Sequence, residues 1–99
     1  AEDPQVRYEG DESYGCHRFE LAPMPGHTYV VVGDPGQDNP PSRNAGAVMV
    51  WDATKAPFKL VYFHWVAGHG QYSPWLASFE YACDRFQPAA AGFDSTHSS

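Results

Sequence analysis

FKLVYFHWVAGHGQYSPWLASFEYAC, residues Phe58 to Cys83, is the stretch whose reading decides the fold. It holds two of the 3 tryptophans, and it ends in one of only 2 cysteines. Its first part, Phe58 to Val66, reads as the most hydrophobic strand of the chain. Strict alternation would put Phe58, Leu60, Tyr62, His64 and Val66 on one face and Lys59, Val61, Phe63 and Trp65 on the other. Both faces are apolar for most of their length. That pattern fits a central strand covered on each side, or a strand with one covered face and one exposed aromatic face. Gly68-His69-Gly70 then makes a turn, and Tyr72-Ser73-Pro74-Trp75 an aromatic loop. Leu76 to Phe86 carries two patterns at once. Leu76, Phe79, Ala82 and Cys83 keep helical spacing, while Phe79, Tyr81 and Cys83 alternate as in a strand. The aromatic content and the cysteine favour strand.

Working outward, Ala47 to Trp51 forms a hairpin with this strand through the short connection Asp52–Pro57. His27 to Val32 is β-branched and aromatic between breakers, and reads as another interior strand. Between them Gly33 to Ala45, rich in Gly, Pro, Asp and Asn, is a long loop. Ala22-Pro23-Met24-Pro25-Gly26 interrupts the chain before it, and Tyr14 to Leu21 offers one more short strand. Residues 1–13 are an acidic arm with a short strand near Gln5–Tyr8, and residues 87–99 a low-complexity tail. The expectation is one domain over 14–86, mainly β. It is a small antiparallel sheet or sandwich of about five or six strands closed by one disulfide, with little or no helix.

A chain of 99 residues is near the size at which a covalent staple helps. Cys16 and Cys83 would supply it, worth on the order of 4 kcal/mol in the chain-entropy account. The cysteine pair, the paucity of lysine and the opening Ala1-Glu2-Asp3-Pro4 without Met are read together as a mature, secreted protein. No apolar run reaches membrane-spanning length, so insertion into a membrane is not expected. The net charge of −6, from 6 Lys+Arg against 12 Asp+Glu, argues against a nucleic-acid partner.

Candidate chemistry is sparse. His64 and His69 are the histidines best placed to act as catalytic acids, with no partner base fixed by spacing. The histidines follow no metal-ligand pattern, the serines no nucleophile elbow, and nothing sets the separation of Glu20, Asp34, Asp38, Asp52 and Glu80. No metal and no cofactor is expected. Trp65, His69, Tyr72 and Trp75 form the candidate binding set, an aromatic platform for a protein or a glycan. At least one of Trp65 and Trp75 belongs to the core in this reading.

Tyr14-Gly15-Cys16 near the start, with a cysteine near the end, resembles the Y-x-C arrangement of small secreted fungal effectors. Many of these are similar in fold to the guanyl-specific fungal ribonucleases. Ala45 to Trp51, Leu60 to His64, Gly68-His69-Gly70 and Phe79 to Cys83 follow the order of strand, histidine strand, Gly loop and Phe-x-x-Cys in those enzymes. The chain departs from them in carrying Val48 where they place an arginine. It has Tyr29-Val30-Val31-Val32 where they place a glutamate base, and His17 to His27 cannot form their long helix. The resemblance therefore implies an inactive relative that works by binding. The function expected is recognition of a macromolecular partner, with a carbohydrate-binding module and a secreted ribonuclease-like hydrolase as the alternatives.

Overall fold

The computed structural model describes residues 7–11, 16–35, 46–66 and 73–93. Six strands form one sheet: β1 (Arg7–Asp11), β2 (Cys16–Glu20), β3 (Tyr29–Asp34), β4 (Gly46–Asp52), β5 (Lys59–Val66) and β6 (Ala90–Phe93). Their order across the sheet is β1-β2-β5-β4-β3-β6. Every neighbouring pair is antiparallel except β3 and β6, which run parallel. The hairpin of β4 and β5 forms as its sequence indicates, and β5 and β3 are both interior strands. The arm contributes β1, close to the short strand expected near Gln5–Tyr8, and the tail contributes β6: β1 pairs with β2 and β6 with β3.

Residues 73–86 overturn the expectation of little or no helix, since Ser73–Phe86 is a 14-residue α-helix, α1. Three local features explain it. Pro74 sits in the first turn, where its fixed φ suits a helix and its missing N–H costs nothing. No β-branched residue occurs in SPWLASFEYACDRF, so the side chains stiffest against a helix are absent and only its aromatics lean towards the extended state. Trp75, Phe79, Ala82 and Phe86 bring a continuous apolar stripe onto the sheet. The helix stops at Gln87, whose φ is 46°, just before Pro88. The Gln87 N–H donates to the Cys83 carbonyl at 3.0 Å, and its side-chain Nε2 donates to the Asp84 carbonyl at 2.9 Å, so two carbonyls of the last turn are satisfied.

The second layer is thus a helix and not a second sheet. α1 lies across β3, β4 and β5, and the core between them is built from Tyr29, Val31, Val48, Val50, Tyr62 and Trp75, with Ala82 and Phe86 from the helix. Trp75 is 1% exposed. Its indole lies over two strand glycines, where a Cβ on Gly33 would fall 2.6 Å from the ring and one on Gly46 2.5 Å from it. Its Nε1 donates to the Ala47 carbonyl at 2.8 Å. The simple alternation expected along 58–66 is broken by a β-bulge near Val50 and Trp51 of β4. Tyr62 pairs with Val50 and Leu60 with Trp51, which makes Val61 the extra residue, and Val61 and Tyr62 both enter the core.

The expected Cys16–Cys83 disulfide is not formed, and Cys83 is a free thiol. Geometry explains why. Tyr81 and Arg85, on either side of Cys83 in sequence, reach Glu20 on β2, and Cys83 therefore projects from the opposite side of the helix. Cys16 opens β2 four residues before Glu20, some ~13 Å farther along the strand. A disulfide needs Cα atoms within about 7 Å.

Candidate functional site

The sequence-predicted residues do not meet in one place. Trp75 is buried under the helix, whereas Trp65 is 39% exposed and its alternation places it on the far face of the sheet. A shared platform of these two rings therefore does not exist. His69 and Tyr72 lie outside the described residues, as does most of the loop expected at 33–45; Gly33 and Asp34 belong to β3. His64 is held beneath α1, its Nδ1 2.6 Å from the Ser78 hydroxyl. That hydroxyl is also 3.0 Å from the Tyr62 hydroxyl. Ser78 is 6% exposed, so this serine–histidine contact fastens helix to sheet and offers no nucleophile to a substrate.

A second polar cluster under the helix is not apparent in the sequence. Glu20 is 2% exposed and accepts from Arg85 Nε at 2.7 Å, from Arg18 Nη2 at 3.0 Å and from the Tyr81 hydroxyl at 2.8 Å. The Arg18 guanidinium lies 4.5 Å from the centre of the Tyr81 ring. Burial alone would raise the carboxyl pKa. The bonds from Arg85 and Tyr81 and the charges of Arg18 and Arg85 outweigh it and hold the group below its ordinary value. The buried charge is matched on both oxygens, and the cluster joins β2 to the end of α1.

The opposite face of the sheet is apolar and, among the described residues, no element packs over it. Register assembles it in rows: Phe19, Phe63, Met49 and Val32 lie side by side across β2, β5, β4 and β3. Leu60, Trp51 and Val30 form a second row, and Trp65 beside Ala47 extends the patch to an edge closed by Asp34. Val32 at 37% and Trp65 at 39% exposure are its most open members. Side chains in such rows shield one another in part, as cross-strand neighbours do.

A third arrangement lies on the helix side, near Tyr29, whose ring abuts Phe86 at the end of α1. Here His27 Nδ1 is 2.6 Å from Asp52 Oδ2. Asp52 Oδ1 accepts from the Thr54 hydroxyl at 2.5 Å and from the Thr54 backbone N–H at 3.0 Å. Thr54 Oγ1 in turn accepts from the Thr28 N–H at 3.0 Å, and the Ala53 N–H donates to the Thr28 carbonyl at 2.8 Å. The desolvation of Asp52 would raise its pKa; the Thr54 hydroxyl, His27 and the Thr54 amide reverse the sign and keep it ionised to below its ordinary value. These groups border a cleft of about 420 Å³. A histidine oriented by a carboxylate is an acid–base element, but no serine or cysteine lines the cleft among the described residues. Among the described residues no three His, Cys, Asp or Glu converge as a metal-ligand set, and no helix is long and apolar enough to cross a membrane.

Nothing in the sequence marks His27 and Asp52 as partners across 25 positions. Compared with protein families, with curated proteins and with solved structures, the chain matches none.

Proposed function

We propose that the chain acts by binding a protein partner through the apolar face of its sheet that no described element covers, as an exported, effector-like module that performs no chemistry itself. One observation carries this reading. The face opposite α1 presents two rows of large apolar side chains, with Trp65 and Val32 more than a third exposed. No charged side chain sits within the rows Phe19–Phe63–Met49–Val32 and Leu60–Trp51–Val30. A single-layered apolar face of this kind is the signature of an interaction surface, and tryptophan is the residue most enriched at the energetic centre of such surfaces. The ionisable clusters beneath the helix are consumed by internal bonds, which leaves them to stability.

Site-specific photocross-linking tests the reading. A photoreactive side chain in place of Met49, in the row between Phe63 and Val32, should capture a discrete protein from the medium or extract in which the chain acts. The same group at Asp84, on the exposed side of α1, should not. The double substitution Trp65→Ser and Val32→Ser should abolish capture while leaving the helical circular dichroism intact. Equal labelling from both positions, or none from position 49, would sink the proposal. A saturable tryptophan-fluorescence response to oligosaccharides, lost in the same variant, would replace the protein partner by a glycan.

A further inference from the structure

The cleft beside His27 is a separate matter from the open face of the sheet, because it lies on the other side of the molecule. Its charged lining consists of His27, Asp52, Lys55 and Lys59. Lys55 and Lys59 are the only lysines in the chain, so a protein of net charge −6 places both at one opening. Neither is held in an ion pair among the described residues. Asp52, the single carboxylate of the lining, is spent on Thr54 and His27. With two lysines against one carboxylate, the net charge of the lining is positive.

Apart from Thr54, the rest of the lining is mainly apolar, with Leu21, Val61, Tyr29, Pro57 and Met24 forming the body of the cleft. Met24 is 54% exposed, and methionine is the side chain best able to adapt to varied apolar ligands. The walls are set in advance. The connections on either side, 27–28 and 52–54, are stitched together by the hydrogen bonds that surround Asp52 and Thr54. The Tyr29 hydroxyl accepts the Met24 N–H at 2.8 Å, which ties the third wall to the sheet. With Nδ1 of His27 engaged by Asp52, Nε2 is the ring atom left for a ligand. The volume falls in the range of small-molecule sites, about 300–1,000 Å³.

We infer that this cleft binds a small amphiphilic carboxylate, its apolar chain or ring lying against Leu21, Val61 and Met24 and its carboxylate meeting Lys55, Lys59 and His27. A phosphate dianion is the poorer match. The cleft is mostly apolar, and its cations are lysines and a histidine, with no arginine fork or helix N-terminus to cradle several oxygens.

Two-dimensional amide NMR on the whole chain tests the inference with octanoate and phenylacetate as probes. Octanamide and inorganic phosphate serve as comparisons. The expected result is a saturable shift of amide signals confined to residues 21–29 and 52–61. Replacing the acid by octanamide, or making Lys55→Gln with Lys59→Gln, should weaken binding by about tenfold or more. Trp65→Ser should leave it unchanged, so the outcome is independent of the partner-binding face. Absence of a saturable shift overturns the inference. So does octanamide binding as tightly as octanoate, or phosphate binding more tightly than both acids.

Discussion

Glu20 shows how one residue sets a stability profile. Its carboxylate is buried and met by two arginines and a tyrosine, and its pKa lies below the ordinary glutamate value of 4.5. A depressed folded-state pKa stabilises the native state at pH values above 4.5, and the contribution drains away as pH falls through the lowered value. Glu20→Gln should therefore cost about 2–4 kcal/mol at neutral pH. The gap to the parent should shrink in acid, and urea melts across the acid limb would read it. A constant gap at all pH values would show that the charge is not what matters. Ser78→Ala, which leaves the Tyr62 hydroxyl and His64 Nδ1 facing a methyl group, should cost about 1–3 kcal/mol in the same assay. Cys83 supplies a third prediction at this scale. Burial, followed by the charges of Asp84 and Glu80, raises its thiol above the ordinary value. Iodoacetamide should label it about tenfold more slowly in the native protein than after unfolding at mildly alkaline pH, and equal rates would contradict its packing against the core.

At the scale of elements, the contact of α1 with the sheet depends on Trp75 settling over glycines. Gly33→Ala would drive a methyl into the indole and the Phe79 ring, and neither aromatic has a flexible end to move aside. The expected loss is about 1–3 kcal/mol, measurable as a lowered thermal midpoint with helix content retained. The helix is also where sequence and structure part most clearly. The alternation of Phe79, Tyr81 and Cys83 competes with the helical stripe of Trp75, Phe79, Ala82 and Phe86, and apolar periodicity alone does not separate them. Pro74 and the missing β-branched residues do. The strands β3, β4 and β5 were legible because β-branched and aromatic runs between breakers leave few options. The candidate cleft was not. Its His27–Asp52 contact follows from the register that sets Tyr29 opposite Asp52, and a long connection between β3 and β4 does not fix a register as a tight turn would. Glu20 was invisible for a related reason: its partners Tyr81 and Arg85 come from a helix whose sequence also fits a strand.

For the whole molecule, the layering separates two kinds of surface. One side of the sheet is sealed by α1 and bears the polar clusters and the cleft; the other is apolar and, among the described residues, uncovered. Substitutions on the open face should thus affect association without affecting folding. Trp65→Ser is expected to change the unfolding free energy by no more than about 1 kcal/mol while removing partner capture. Denaturant titration alongside cross-linking checks the two halves of that statement. The parallel pairing of β6 with β3 has a consequence of its own for solubility. Tyr29-Val30-Val31-Val32 is an uncharged, β-branched run, and Ala90–Phe93 occupies the backbone donors and acceptors along its outer edge. Those four residues act as a guard rail against strand-by-strand growth. A chain ending at Gln87 would leave that edge bare. It should scatter light and gain thioflavin fluorescence at concentrations where the full chain stays clear.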